Sequence, residues 1–383
     1  MTGLNDHTQR DHALLSASSS KRWLACPPSG FAAELYTQID TEYTREGTLA
    51  HEVAELITRQ RLENLGEVST NDPDITGEMV DCANGYADYI EEQIQSDKAV
   101  VLLEQRVDFS PWVPDGFGTA DCIIMQGDQI DVIDYKYGQG VKVDAEDNSP
   151  MKLYGLGALN DYGYILDTDK VRIRLHIYQP RMNNVSVADI TAEELITWAV
   201  KIVKPTAEKA AKGKGKYSPG AHCRFCPHAG RCRALTKTCT EYVESHSLRV
   251  GVPVLAPFEV AEVLKMEPLI SLWLKKVKDQ ALTTLMDGGE VPGFKVVAGR
   301  GSRQWADELE VAAELDKHGI DREDYTKTEV LSVSQMEKKL GRKKVAELLE
   351  GHILALQGSP TIAPLSDKRP VYNRLEEAQK DFS

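Results

Sequence analysis

A chain of 383 residues that is 42% hydrophobic, 27% charged and 7% aromatic can bury a substantial core and has room for two or three domains. This composition excludes collagen-like, disordered and disulfide-dense classes, and no run of about 18 apolar residues is present to span a membrane. A net charge of −14 argues, as an average, against nucleic acid as a partner.

The polar N-terminus lacks the apolar stretch of a secretory signal, so the expected location is cytoplasmic, with reduced thiols. Residues 1–20 end in LLSASSS and read as a flexible lead-in. Apolar spacings of three and four predict a helix from Thr41 to Arg61, and a second amphipathic helix covers Asp81–Gln95. Between Val100 and Val143 the period changes. VVLLEQRVDF, GTADCIIMQG and QIDVIDYKYG read as three strands of one sheet, with Gly127-Asp128 as the hairpin turn between the second and third. A helix at Pro150–Leu166 and an alternating strand at Val171–Arg181 follow. Thr191–Lys212 opens with a helix-start pattern, and Lys212–Gly220 reads as a flexible basic linker. Helices are expected at Val260–Met286, Leu309–His318 and Ser334–Leu349, with a hairpin near GFKVVAGRGSRQW (293–305) and a polar tail over 366–383.

Two constellations carry chemistry. In Gly118–Gly138, period-two geometry puts Asp134 and Lys136 on one face, and the hairpin can bring Asp121 beside Asp134. Two carboxylates and an ammonium at one end of a sheet are what phosphodiester hydrolysis requires. The carboxylates hold hard divalent cations, the metal acidifies a bound water, and the lysine orients the nucleophile or stabilises developing charge. In the second constellation, Cys223, Cys226 and Cys232 have C-x2-C-x5-C spacing, a metal-site pattern. Spacing leaves the fourth ligand open between Cys239, which would complete a local zinc site, nearby His222 or His228, and distant Cys26. Cys82, Cys122 and Cys239 otherwise read as buried apolar residues.

The segment with Gly118, Asp121, Asp134, Tyr135, Lys136 and Gly138 resembles the PD-(D/E)XK nucleases of RecB type. Glu46-Gly47-Thr48-Leu49-Ala50-His51 resembles their upstream helical motif, and Tyr154 resembles the tyrosine of their Q-x-x-x-Y motif, although Pro150 stands at the glutamine position. The resemblance implies an α/β, restriction-endonuclease-like core, a central mixed sheet flanked by helices. This core would occupy residues 21–245, followed by a mainly helical accessory region over 255–365. It implies Mg²⁺ or Mn²⁺ held by His51, Asp121, Asp134 and the Tyr135 backbone carbonyl, with Lys136 catalytic and Glu46 and Tyr154 in support. A subset of that family carries a [4Fe–4S] cluster on one upstream and three downstream cysteines, which implies Cys26, Cys223, Cys226 and Cys232 as ligands here, with Zn²⁺ the alternative. The whole chain is similar to a phage-encoded group of RecB-like nucleases.

The expected function is therefore metal-dependent DNA hydrolysis, exonucleolytic, in phage replication or recombination. The alternative is a nuclease-fold DNA-binding or scaffold protein without turnover. Residues 201–250 carry eleven Lys/Arg against three Asp/Glu, a local balance of +8, so the remainder carries −22. Within this basic stretch Arg224, Arg231 and Arg233 are the expected DNA contacts, with Arg172, Arg174 and Arg181 as additions to the groove. DNA ends or single strands, and a single-strand-binding or replication protein, are the expected partners.

Overall fold

The computed structural model describes residues 13–36, 42–63, 72–166, 170–245 and 255–295. The chain divides into two compact units, Met1–Gly299 and Arg300–Ser383. The second unit, and with it the expected helices near 309–318 and 334–349 and the tail, lies outside the described residues.

The first unit is α/β. Its sheet has five strands in the order β1-β2-β3-β4-β5: Val100–Asp108, Phe117–Gln126, Gln129–Tyr135, Arg172–Gln179 and Asn184–Thr191. The β1–β2, β2–β3 and β4–β5 pairs are antiparallel, and β3–β4 is parallel. A parallel pair needs a long crossover, supplied by α5 (Ser149–Tyr162). Gly127 at φ 57 makes the expected two-residue turn between β2 and β3. Strand β3 is buried along nearly its whole length, as a central strand covered on both faces must be.

Helices cover both faces. On one, α5 packs with α1 (Ser20–Ala25), α6 (Ala192–Trp198) and α7 (Lys204–Ala211) through Trp23, Leu156, Ile173, Leu195 and Val203. On the other, α3 (Glu42–Leu62) and α4 (Gly77–Gln93) pack through Ala50, Val53, Tyr86, Cys122 and Tyr135. Helix α2 (Pro28–Ala33) follows α1, and α8 (Arg233–Ser245) and α9 (Pro257–Met286) complete the unit.

Three expectations change. Residues 13–20 are not a loose lead-in: Leu15 and Ser20 are fully buried, Ser20 and Ser149 share a 2.8 Å hydrogen bond, and the Trp23 indole donates to the Ser16 carbonyl. The polar look of the serine run hides side chains that satisfy one another and nearby backbone. Strand β5 was not anticipated, because as an edge strand it turns Val185 and Val187 to solvent and buries Asn184. Finally, Leu269, Ile270 and Trp273 of α9 pack against the cysteine element, so the first unit continues past residue 245 to Gly299.

Strands β1 and β2 contain one irregularity that matters below. Their register is the same on either side of Glu104 and Asp121, from Leu103↔Cys122 to Gln105↔Ala120. Yet Leu103 and Cys122 pack toward α3 and α4, whereas Val107 and Ala120 pack toward α5. Both strands exchange faces at this step, and Glu104 takes φ 47 there, a conformation that costs a non-glycine residue about 1–2 kcal/mol.

Replacing Leu15 with Ala should lower the unfolding free energy by about 3 kcal/mol, seen as a fall in the denaturation midpoint at constant slope; a loose lead-in would leave the midpoint unmoved.

Candidate metal and cysteine centres

The β2–β3 ladder ends at Cys122↔Ile133, and Asp121 and Asp134 are the next residue on each strand. The Asp121 carboxylate accepts the Tyr135 backbone N–H at 2.7 Å and lies 3.5 Å from His51 Nδ1. The Lys136 ammonium donates to Asp134 Oδ1 at 2.9 Å and lies 2.7 Å from Oδ2, which is buried without a hydrogen-bond partner. Lys136 is held in line by its own N–H, which donates to the Tyr178 carbonyl of β4 at 2.8 Å. The sequence-derived quartet His51, Asp121, Asp134 and Lys136 is thus brought together where the two strands part. The Tyr135 side chain is buried on the α3–α4 face, opposite Asp134 and Lys136 by strand alternation, and His51 of α3 packs edge-on to its ring at 5.3 Å.

Tyr154 of α5 approaches the same end of the sheet. Its ring lies 2.8 Å from where a Cβ on Gly118 would stand, so only glycine fits at 118. Pro150 occupies the first turn of α5, after Asn148 caps it by accepting the Met151 N–H. Proline there is a good helix start, which gives a local reason for the residue at position 150.

Glu104 was missed in the sequence. His51, Glu104 and Asp121 each place one ligand atom within 4.8 Å of the other two, the one such group among the described residues. The reason is the face exchange described above. Simple alternation along VVLLEQRVD does not reveal which side a residue at positive φ will take.

Charges in the cluster are mutually adjusted. Burial raises Glu104 to about 7, with Asp121 adding to the effect. Burial alone would raise Asp121 too, but His51, Lys136 and the Tyr135 N–H outweigh it and hold the carboxyl below its ordinary value. Asp134 is raised, by burial and by Asp121, against the pull of Lys136. His51 and Lys136 are both raised: burial opposes their charge, and the facing carboxylates more than restore it. His51, Glu104 and Asp121, an imidazole that would give up its proton and two carboxylates, are a donor set for a hard or borderline divalent cation such as Mg²⁺ or Mn²⁺, while Asp134, held by Lys136, lies outside this group of three.

Other expected residues have different employment. Glu46 pairs with Arg181 at 3.0 Å, and Arg181 also bonds Glu78 and stacks over Tyr137. Arg181 is thereby occupied by the protein and does not line an open groove. Arg174 lies 3.5 Å from the buried Asp131 and 3.7 Å from Asp189. Asp131 also accepts from Gln129 and contacts His176 at 3.0 Å, whose other ring nitrogen meets Tyr89 at 2.8 Å. That network supports the fold from inside. Nothing lies within 4 Å of a Cβ placed on Gly47.

Cys26, Cys223, Cys226 and Cys232 line one pocket with His222 and His228. Cys26 comes from the end of α1, and the other three lie in successive tight turns between Gly220 and Arg233. The Cys223 and Cys232 sulfurs accept N–H bonds from Gly220 and Leu235, both at 3.5 Å. Cys239 is buried beneath this element on α8 and does not line the pocket. Burial raises the Cys223 and Cys226 thiols, so loading a metal here releases protons. His222 Nε2 is buried without a hydrogen-bond partner, and His228 Nδ1 meets the Tyr36 hydroxyl at 2.9 Å. The donor chemistry fits a thiophilic metal centre. Arg224, Arg231 and Arg233 are exposed on the same element. Among the described residues no helix is long and apolar enough to cross a membrane.

Residues 12–370 match the family described as "Protein of unknown function (DUF2800)", and the chain belongs to that family.

The raised Glu104 fixes a pH dependence. Between its unfolded value of 4.5 and its folded value of about 7 the folded state binds more protons, so this contribution to stability is full below 4.5 and is lost as pH rises to 7. Metal-free protein should therefore melt higher at pH 5.5 than at pH 7.5, and Glu104→Gln should flatten that difference. Thermal denaturation in a chelator across this range checks both.

Proposed function

We propose that this chain is a metal-dependent deoxyribonuclease of the PD-(D/E)XK, RecB-like type, cutting phosphodiester bonds at DNA ends or in single strands during phage replication or recombination. The observation that carries the reading is the meeting of His51, Asp121, Asp134 and Lys136 at the parting of β2 and β3. An acid pair, an imidazole and a lysine from three separate elements have no packing role that requires this convergence, whereas phosphodiester hydrolysis requires it.

His51, Asp121 and Asp134, with the Tyr135 carbonyl, would hold Mg²⁺ or Mn²⁺, which supplies an acidified water and neutralises charge on the phosphate. Lys136, anchored by Asp134, orients the attacking water and stabilises the negative charge that develops on the phosphoryl oxygens. Tyr154 backs this end of the sheet and keeps the lysine in place. Glu104 is the additional carboxylate of the set. Arg224, Arg231 and Arg233 supply exposed positive charge for the DNA backbone.

Cys26, Cys223, Cys226 and Cys232 are proposed to hold a [4Fe–4S] cluster that ties the start of the domain to its end. The four cysteines line one pocket, so one polynuclear group could reach all of them and join residue 26 to residues 223–232.

With Mg²⁺ or Mn²⁺ and end-labelled DNA, wild-type protein should degrade the substrate, and Lys136→Ala should reduce the rate by about two to three orders of magnitude. Equal activity of the two proteins refutes the catalytic assignment, and absence of cleavage by wild type on all DNA forms supports the scaffold reading. Independently, protein purified without oxygen should contain iron and sulfide and absorb broadly in the visible. Cys26→Ala should abolish that absorption, and Cys239→Ala should retain it; a colourless protein with stoichiometric zinc refutes the cluster.

A further inference from the structure

We propose that the cleft at the outer end of β1 and β2 is a stacking subsite for an unpaired nucleobase, so that DNA is taken as a single strand or a frayed end. The inference rests on the nuclease reading for the polymer and names the part of that polymer the protein grips.

The cleft follows from the face exchange at Glu104 and Asp121. Beyond that step, residues 104, 106 and 108 of β1 and 117, 119 and 121 of β2 share the face opposite α5. Glu104 and Asp121 belong to the metal-binding group. Arg106, Asp108 and Thr119 are exposed, and Phe117 is half-buried. An open strip therefore leads from the candidate metal centre to Phe117, four residues and about 13 Å along β2, a reach of a few nucleotides.

At its end the Arg106 guanidinium carbon lies over the Phe117 ring, 3.7 Å from the centroid. The two planar groups form one platform, and bases stack on both aromatic rings and guanidinium planes. The adjoining cleft has a volume of ≈ 390 Å³, within the range of small-ligand sites.

The rim selects a base over a phosphate. Asp108, Asp115 and Asp161 line the cleft. Two are fixed in place: Asp161 Oδ2 accepts the Asp108 N–H at 2.9 Å, and Asp108 Oδ1 accepts the Ser110 N–H at 2.7 Å. Such carboxylates repel a phosphodiester but can accept from the exocyclic amines of cytosine, adenine or guanine. Within a duplex both faces of a base are stacked and its Watson–Crick edge is paired, so the occupant is an unpaired base with its backbone running outside the acidic rim.

The test measures equilibrium binding of short fluorescent oligodeoxynucleotides to the full-length protein by anisotropy, in a chelator so that no cleavage occurs. Phe117→Leu keeps the apolar volume but removes the ring face, and Arg106→Ala removes the upper layer. Each should weaken single-strand binding about tenfold or more, leave duplex binding unchanged, and make no difference to an oligonucleotide of abasic sites. Phe117→Tyr should bind within about twofold of wild type. Circular dichroism and melting curves verify that each variant is folded. Binding by Phe117→Leu equal to wild type, or an equal loss on abasic and normal strands, overturns the subsite. Cleavage that fails in Mg²⁺ while these stacking effects persist overturns only the nuclease reading.

Discussion

The structure turns on the point where β2 and β3 stop pairing. Up to Cys122 and Ile133 the two strands are bound by ladder hydrogen bonds and their side chains serve the two cores. One residue further the backbone is no longer committed to the ladder, and Asp121 captures the freed Tyr135 N–H with its carboxylate. That single bond keeps the strand ends close enough for His51, Asp134 and Lys136 to share one electrostatic environment. Without it, Asp121 would lose the bond that fixes its carboxylate against β3.

The same locality explains what could be read from the amino-acid sequence. Asp121, Asp134 and Lys136 were legible because a two-residue turn at Gly127-Asp128 fixes the hairpin and strict alternation fixes the faces. His51 was legible through its helical spacing and the family resemblance. Glu104 was not, because a positive φ reverses the alternation that would have located it. The role of Glu46 was hidden for another reason: its partner Arg181 is 135 residues away, and no local period encodes such a pairing. Leu15 was obscured by its serine-rich neighbours, whose hydroxyls are consumed in short local bonds rather than by water.

The cysteine element obeys a different constraint. Between Gly220 and Arg233 the chain makes consecutive tight turns with few apolar side chains to hold them, and α9 covers them through Leu269, Ile270 and Trp273. That cover is close. A Cβ on Gly230 would stand 2.5 Å from the Lys276 carbonyl oxygen, so the α9 backbone sits directly on the turn. Trp273 adds an indole bond to Thr236 at 3.2 Å. The cysteine element and the long helix are therefore a single mechanical unit.

The burial of Leu15 has a consequence for how the protein is made. Residues 13–36 leave the ribosome well before their partners: Ser20 bonds Ser149, and Gly30 packs beside Ala210. Cys26 shares its pocket with Cys232. At a synthesis rate of about 5–20 residues per second, the opening helices wait tens of seconds with their apolar sides uncovered. Final closure of the domain is thus a late, post-sheet event, in which the beginning of the chain docks onto a platform that its own later residues have built.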